Sequence, residues 1–308
     1  MGKNQSITIK PRRKFIQEIP LYVMLAPAVV LVLVYSYAPM VGIVMAFQRV
    51  LPGKGIFGSP WVGLDNFKFV FAMPTIFQVI WNTIRIAGLK AIAGVIVPVT
   101  VALMLNNVSS RMFKRTVQTV IYLPHFLSWI IIAGIMVEIL SPSGGIVNQA
   151  LGLVGIKPIF FLGDDTIFPY TMVVTDVWMS FGFGTIVYLA ALTDIDPTLY
   201  EAAVVDGASR WQQTWYVTLP GISGTIIMLS TLSLSNILNA GFDQIFNLYS
   251  PLVYRTGDII DTLVYRTGIL NNQYGVATAV GLLKSVVSLV LIAIAYKLAD
   301  KWAGFRIF

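Results

Sequence analysis

The chain has 308 residues, 56% of them hydrophobic and 11% charged, with a formal net charge of +7 and no cysteine. Its mean hydropathy is +0.78, and soluble domains carry about 25% charged residues, so a soluble globular fold and a disulfide framework are both excluded. The basic excess does not mark a nucleic-acid binder, because the cations gather at the ends of apolar segments as membrane topology requires.

Membrane-spanning helices are therefore expected, since a lipid-exposed backbone must satisfy its own hydrogen bonds and no ten-residue alternating strands occur. A span takes roughly 20 apolar residues, and the fold class expected is an all-α membrane protein of about six transmembrane helices. A basic tail, residues 1–20, precedes a first span from about Leu21 to Phe47. Its apolar run is too long for a cleaved leader, and Pro27 and Pro39 should kink it.

A Pro- and Gly-punctuated stretch follows, in which "NFKFVFAMPTIFQVI" can form a short interfacial helix. Span two is expected at about Val79 to Leu105, then a short basic loop, "NNVSSRMFKRT", then span three at about Val120 to Leu140 with Pro124 near its start. A loop with one short amphipathic helix leads to span four, about Tyr170 to Leu192. A polar loop, 193–220, joins it to span five, about Ile222 to Gly241. Span six, about Gly275 to Leu298, leaves a tail at 301–308.

Orientation follows from the basic residues. Lys3, Lys10, Arg12, Arg13, Lys14, Arg111, Lys114, Arg115, Arg210, Lys297, Lys301 and Arg306 share one face. Arg49, Lys54, Lys68, Lys157, Arg255 and Arg266, half as many, share the other. Both termini and the polar loop are thus expected in the cytoplasm of a multi-pass protein of the cell membrane.

In that loop, "TDIDPTLYEAAVVDGASRWQQTWYVTLP", Asp196 can cap a short helix with Pro197 in its first position. Gly207 permits a bend. Trp211, Trp215 and Thr218 then fall on roughly one face, and Pro220 should break the approach to span five. Two readings stay open on these grounds: a helix docking into a groove of a soluble partner, or an amphipathic helix lying on the bilayer.

"EAAVVDGASRWQQTWYVTLPGI" resembles the EAA loop of type I ABC importer permeases: Glu-Ala-Ala, then Asp-Gly-Ala, then Leu-Pro, with Val217 where isoleucine is commonest. "YLPHFLSW", "VGLDNFKFVF" and the ending "KLADKWAGFRIF" resemble the branch that imports oligosaccharides and polysaccharide fragments. The resemblance implies ATPase-coupling roles for Glu201, Ala202, Ala203, Asp206, Gly207, Ala208 and Pro220. It implies partners as well: a second, non-identical permease, two cytoplasmic ATPase subunits holding ATP and Mg, and an extracytoplasmic sugar-binding protein. This chain has no phosphate-binding loop of its own, because "GLLKS" lacks the spacing, so neither a cofactor nor a metal site is expected in it.

Polar residues inside spans are costly and face a cavity or another helix. Asn82, Arg85, Lys90, Glu138, Asp176 and Lys284 are of this kind. Aromatic faces and amides suit a sugar path, which makes Trp178, Tyr188, Asn236 and Asn239 the lining candidates; inter-helix bonding is the alternative for each. Lys90 can pair with Asp176 or Glu138, and the lone histidine, His125, reads as an interface residue. Gly63 to Phe69 and Tyr249 to Asn272 are expected to meet the binding protein. An ion-coupled transporter or channel using the intramembrane charges is the competing function. A membrane enzyme is disfavoured by the lack of H-E-x-x-H and G-x-S-x-G.

Overall fold

A computed structural model describes residues 11–234 and 238–303. Helices dominate, and among the described residues the one β-pairing is an isolated bridge between Gln48 and Trp61. The first helix, α1 (Pro11–Val32), continues through a widened turn at Leu33–Tyr37 into a tightened 3-10 stretch, Ala38–Phe47. The tail expected at 1–20 therefore becomes helical from Pro11. Pro27 lies within regular helix, and the change of winding falls just before Pro39. A proline ring collides with the carbonyl four residues back, so the preceding turn opens: the Ala38 N–H reaches the Leu33 carbonyl, five residues back.

The stretch from Glu18 to Phe47 is long and apolar enough to cross a membrane, and the rest of the chain covers almost none of it. Helix α2 (Asp65–Ala72) is short, and α3 (Ile76–Asn106) is 31 residues long, about 46 Å at 1.5 Å per residue. The basic loop expected after span two is instead the start of α4 (Arg111–Tyr122), whose first amide groups are capped by Ser110.

Span three does not run unbroken from Val120 to Leu140. A 3-10 turn (Leu123–Phe126) ends α4, and α5 (Trp129–Ile139) leaves at 109° to it. Pro124 withholds a donor, Leu127 is extended, and Ser128 caps the new helix. The short helix expected in the next loop is α6 (Ile146–Leu153), anchored by buried Asn148, which donates to the Ser141 and Ile159 carbonyls at 3.0 Å and accepts from the Ile159 N–H at 2.8 Å.

Helix α7 (Phe168–Thr193) packs along α3 and is followed by α8 (Pro197–Val205) and α9 (Arg210–Gln213). A second widened turn, Thr214–Thr218, joins α9 to α10 (Leu219–Leu234), so one apolar helical run extends from Arg210 to Ser233. Pro220 does not break this run. The Leu219 N–H bonds the Thr214 carbonyl, and the wide turn makes room for the ring. Span five is helical earlier than Ile222 and is over before Leu238, where the chain forms a turn. Helices α11 (Phe242–Leu248) and α12 (Ile260–Tyr265) are short, and α13 (Tyr274–Ala303) is the last span, running into the expected tail.

Three buried clusters hold these elements. At the end shared by α8 and α9, Val99, Ala102 and Leu105 meet Tyr188, Leu189, Leu192 and Ile222. Midway, Ile86 and Ala87 meet Ile132, Met136, Phe168, Met172 and Ile245. At the far end, Ala46, Val70, Ile76 and Val79 meet Ile260, Leu263, Ala279 and Val280. With lipid tails as apolar as the side chains, such contacts stabilise through close packing, and polar links carry more of the specificity.

A buried polar link centres on Lys90. Its ammonium donates to Asp176 at 3.1 Å, to the Ala240 carbonyl at 2.7 Å and to Gln244. Gln244 in turn donates to the Met172 carbonyl at 2.8 Å and to Thr175 at 2.7 Å. Gly241, at φ +89°, turns the chain into α11 here, and a Cβ on it would stand 2.8 Å from the Lys90 Nζ. Of the two carboxylates open to Lys90 in the sequence, the fold selects Asp176, while Glu138 is exposed. Asp176→Asn leaves a buried ammonium without a counter-ion and should cost roughly 3 kcal/mol. Thermal unfolding in detergent should show a lower midpoint for this variant and an unchanged one for Glu138→Gln.

Candidate coupling and pathway sites

The polar loop folds into an elbow of two short helices. Asp196 caps α8 by accepting from the Thr198 N–H at 2.9 Å, with Pro197 in the first turn, as its sequence suggests. That hydrogen bond holds the Asp196 carboxyl below its ordinary pKa. At the other end of α8, the Asp206, Gly207 and Ala208 amides bond back to Ala202, Val204 and Ala203 at 3.0, 3.0 and 2.9 Å. This is a Schellman closure with Gly207 in the left-handed region, φ +76°. Nothing lies within 4 Å of a Cβ placed there, so the glycine is required by backbone conformation and not by crowding.

Beyond the bend, Ser209 and Gln212 form a reciprocal capping box that starts α9. Tyr200 on α8 shares a 3.0 Å hydrogen bond with Thr218, tying the elbow to the root of α10. Thr218 is buried, whereas Trp211 and Trp215 stack edge to face at 5.7 Å on the exposed side. The three residues expected on one face are thus divided, because the widened turn carries an extra residue and rotates Thr218 inward.

Glu201, Ala202, Asp206 and Gly207 are exposed, and Ala203 and Ala208 half-buried. Around them Leu199, Val204, Val205, Trp211, Trp215 and Tyr216 also stand free, with Val205 86% exposed. Such a concentration of bare apolar side chains on a polar elbow suits contact with a partner or with the bilayer, and Trp211, Trp215 and Tyr216 belong to the apolar run Arg210–Ser233. Pro220 lies behind it, inside the helical run.

The pathway candidates scatter. Tyr188 is buried in the cluster with Val99 and Ile222, a packing position rather than a lining one. Trp178 is half-exposed on α7. Asn236 lies outside the described residues. Asn239 lines a cavity of about 910 Å³ together with Phe242, Asp261, Tyr265, Tyr274 and Lys284. Of these, the sequence singled out Asn239 and Lys284. The aromatic members were missed because they sit in an irregular segment whose period carries no facing information.

Other polar residues within or beside the spans, Glu138 apart, make links between elements. Asn82 donates to the Arg255 and Asp258 carbonyls, both at 3.1 Å. Arg85 lies 5.1 Å from the centre of the Tyr170 ring, and His125 stacks on Phe183 at 4.3 Å. Much of Tyr249 to Asn272, expected on the outside, is interior: Asp258, Ile259, Ile260, Thr262 and Thr267 are buried. Arg266 closes on Asp258 through two bonds, at 2.5 and 3.2 Å. Leu252 and Ile269 to Gln273 keep exposed surface there.

Comparison with known proteins agrees with this architecture. Residues 94–304 match the family described as binding-protein-dependent transport system inner membrane component. The chain is 40% identical to the polygalacturonan/rhamnogalacturonan transport system permease protein YteP of Bacillus subtilis (strain 168), over 94% of this chain and 90% of that one. It also superposes, with TM-score 0.86, on a chain in the crystal structure of a bacterial ABC transporter involved in the import of the acidic polysaccharide alginate. That chain is 39% identical, with 94% of this chain and 98% of that chain covered. A second structure of the alginate transporter, in complex with an alginate pentasaccharide-bound periplasmic protein, matches with TM-score 0.86 and 38% identity, covering 95% and 98%.

Two outcomes test the elbow. A depressed carboxyl pKa stabilises above the unfolded value, about 3.9, and is lost as pH falls through the folded one. The hydrogen-exchange protection factor at Thr198 should therefore hold from neutral pH to about 4 and fall below it, and Asp196→Asn should abolish that dependence. Gly207→Ala, which adds no clash, should cost about 1 kcal/mol of local stability, read as faster exchange at Ala208.

Proposed function

The chain belongs to the inner-membrane components of binding-protein-dependent transport systems, and from that membership we propose that it forms half of the translocation pathway of an ATP-driven oligosaccharide importer. A second permease completes the path, two ATPase subunits holding ATP and Mg dock at the elbow, and an extracytoplasmic binding protein delivers the sugar. Both termini and the elbow face the cytoplasm.

The observation that carries this reading is the elbow itself. Its first helix is capped at both ends, and its second is capped at its start and runs on into α10, so the local hydrogen bonding of the elbow is complete without a partner. It bonds back to α10 through Tyr200 and Thr218, and it presents Val205, Trp211 and Tyr216 to the outside. A partner-facing lever rooted in a spanning helix lets the ATPase pair bias the pathway between two states, which is what coupling requires.

Support for a sugar comes from the cavity, where rings of Phe242, Tyr265 and Tyr274 stand beside the amide of Asn239 and the hydroxyls of Thr278 and Ser285. Relatives named for polygalacturonan and rhamnogalacturonan transport, and for alginate import, point to fragments of polysaccharides. The competing ion-coupled reading is weakened, since its charges do not form one chain: Lys90 pairs with Asp176, Lys284 pairs separately with Asp261, and Glu138 is exposed.

In proteoliposomes holding the whole complex, Glu201→Lys and Gly207→Asp should each lower ATP-dependent oligosaccharide uptake at least tenfold and weaken ATPase capture in a pull-down. Normal uptake and capture by both variants would remove the coupling assignment.

A further inference from the structure

Two lysines lie within the spans near the α11–α12 region, and they are bonded differently. Lys90 spends its ammonium on three acceptors: Asp176, the Ala240 carbonyl and Gln244. An ammonium has three N–H donors, so Lys90 is saturated and serves as a staple. Lys284, on α13, has one acceptor among the described residues, Asp261 Oδ1 at 2.5 Å. Its side chain is 21% exposed and borders the 910 Å³ cavity.

A lysine placed only to tie α13 to α12 would gain by filling its remaining donors, because an under-bonded ammonium in a membrane protein is costly. Asp261 is also incompletely used: its Oδ2 is buried with no hydrogen-bond partner among the described residues. The pair therefore orients Lys284 beside the cavity without exhausting its hydrogen-bonding capacity.

We propose that Lys284 is a specificity-determining residue of the pathway, reading the carboxylate of an acidic oligosaccharide, one built from uronate units, with its two unspent N–H donors. This deepens the functional reading above and rests on it. The surroundings fit such a ligand. Phe242 and Tyr265, with ring centres 5.6 Å apart, and Tyr274 offer faces to the C–H surfaces of sugar rings. Asn239, Thr278 and Ser285 offer hydroxyl partners, and the volume lies within the roughly 300–1,000 Å³ of ordinary ligand clefts.

Asp261 has a second consequence in this arrangement. Its negative charge offsets that of Lys284 and weakens the hold on an anionic sugar. A conducting site must bind well enough to admit the substrate and weakly enough to release it. Lys284 selects and Asp261 tempers.

The experiment measures ATP-dependent uptake by the whole complex in proteoliposomes, with an oligogalacturonide as the acidic probe and an arabino-oligosaccharide as the neutral one. Lys284→Gln and Asp261→Asn both break the ion pair, but only the first removes the carboxylate's donors. Lys284→Gln should raise KM for the oligogalacturonide at least tenfold, Lys284→Arg should stay within threefold of wild type, and Asp261→Asn should keep or lower KM. Equal loss in Lys284→Gln and Asp261→Asn would make the pair a structural tie and overturn the proposal. So would oligogalacturonide uptake unchanged in Lys284→Gln, or a wild-type complex that takes up only the neutral probe. If Asp261→Asn fails to assemble, the difference in KM between Lys284→Gln and Lys284→Arg decides. Wild-type complex that moves neither probe would instead sink the importer reading itself.

Discussion

A nearly fully buried ammonium group is costly to leave with fewer acceptors than it has protons, and the middle of this bundle is arranged around Lys90, whose side chain is 9% exposed. Lys90 on α3 needs Asp176 on α7, the carbonyl of Ala240 and the side chain of Gln244 on α11. Satisfying it fixes the register of α3 against α7 and brings the chain back from α10 to the same depth. Gly241 follows from it, since the left-handed turn and the nearness of the Lys90 Nζ both leave no room for a side chain. Gln244 extends the link to Met172 and Thr175. Removing one charge of such a pair costs more than the pair contributes, because the other is stranded.

From that fixed middle, the two ends of the bundle take on different work. At one, α3 and α7 end beside α10, and Tyr188 lies in the packing between them. The elbow of α8 and α9 hangs from this joint through Tyr200 and Thr218, so a push on the exposed face has a short covalent and hydrogen-bonded route into α10. At the other end, Asn82 and the Asp258–Arg266 pair pull the segment after α11 into the interior. The cavity lies where this re-entering segment faces α13, and its wall combines aromatic rings with one ion pair that is only partly bonded.

Much of this was legible beforehand, for particular reasons. Hydropathy locates long spans because the bilayer tolerates no unsatisfied backbone, and five helices of the described residues meet that test, with the α4 and α5 pair as a sixth if counted as one span. The Asp196 cap and the Gly207 bend could be read because capping is local: each depends on residues within four positions. The same locality failed where a widened turn intervened. Sequence spacing alone put Thr218 with Trp211 and Trp215, and made Pro220 a break; one extra residue in the turn reverses both. The 109° bend between α4 and α5 was hidden for a related reason, since Pro124 signals a disturbance but not its angle.

What the sequence by itself determined is the class of molecule, the approximate placement of its long apolar helices and the pattern of the loop after α7, all of which rest on composition and on short fixed spacings. Only the tertiary structure decided which polar residues are staples and which border the cavity. Lys90 and Lys284 are the same residue type in similarly apolar helices. They differ in how many acceptors other segments bring to the ammonium, three for one and one for the other among the described residues, and that number is set by contacts between segments as much as 154 residues apart.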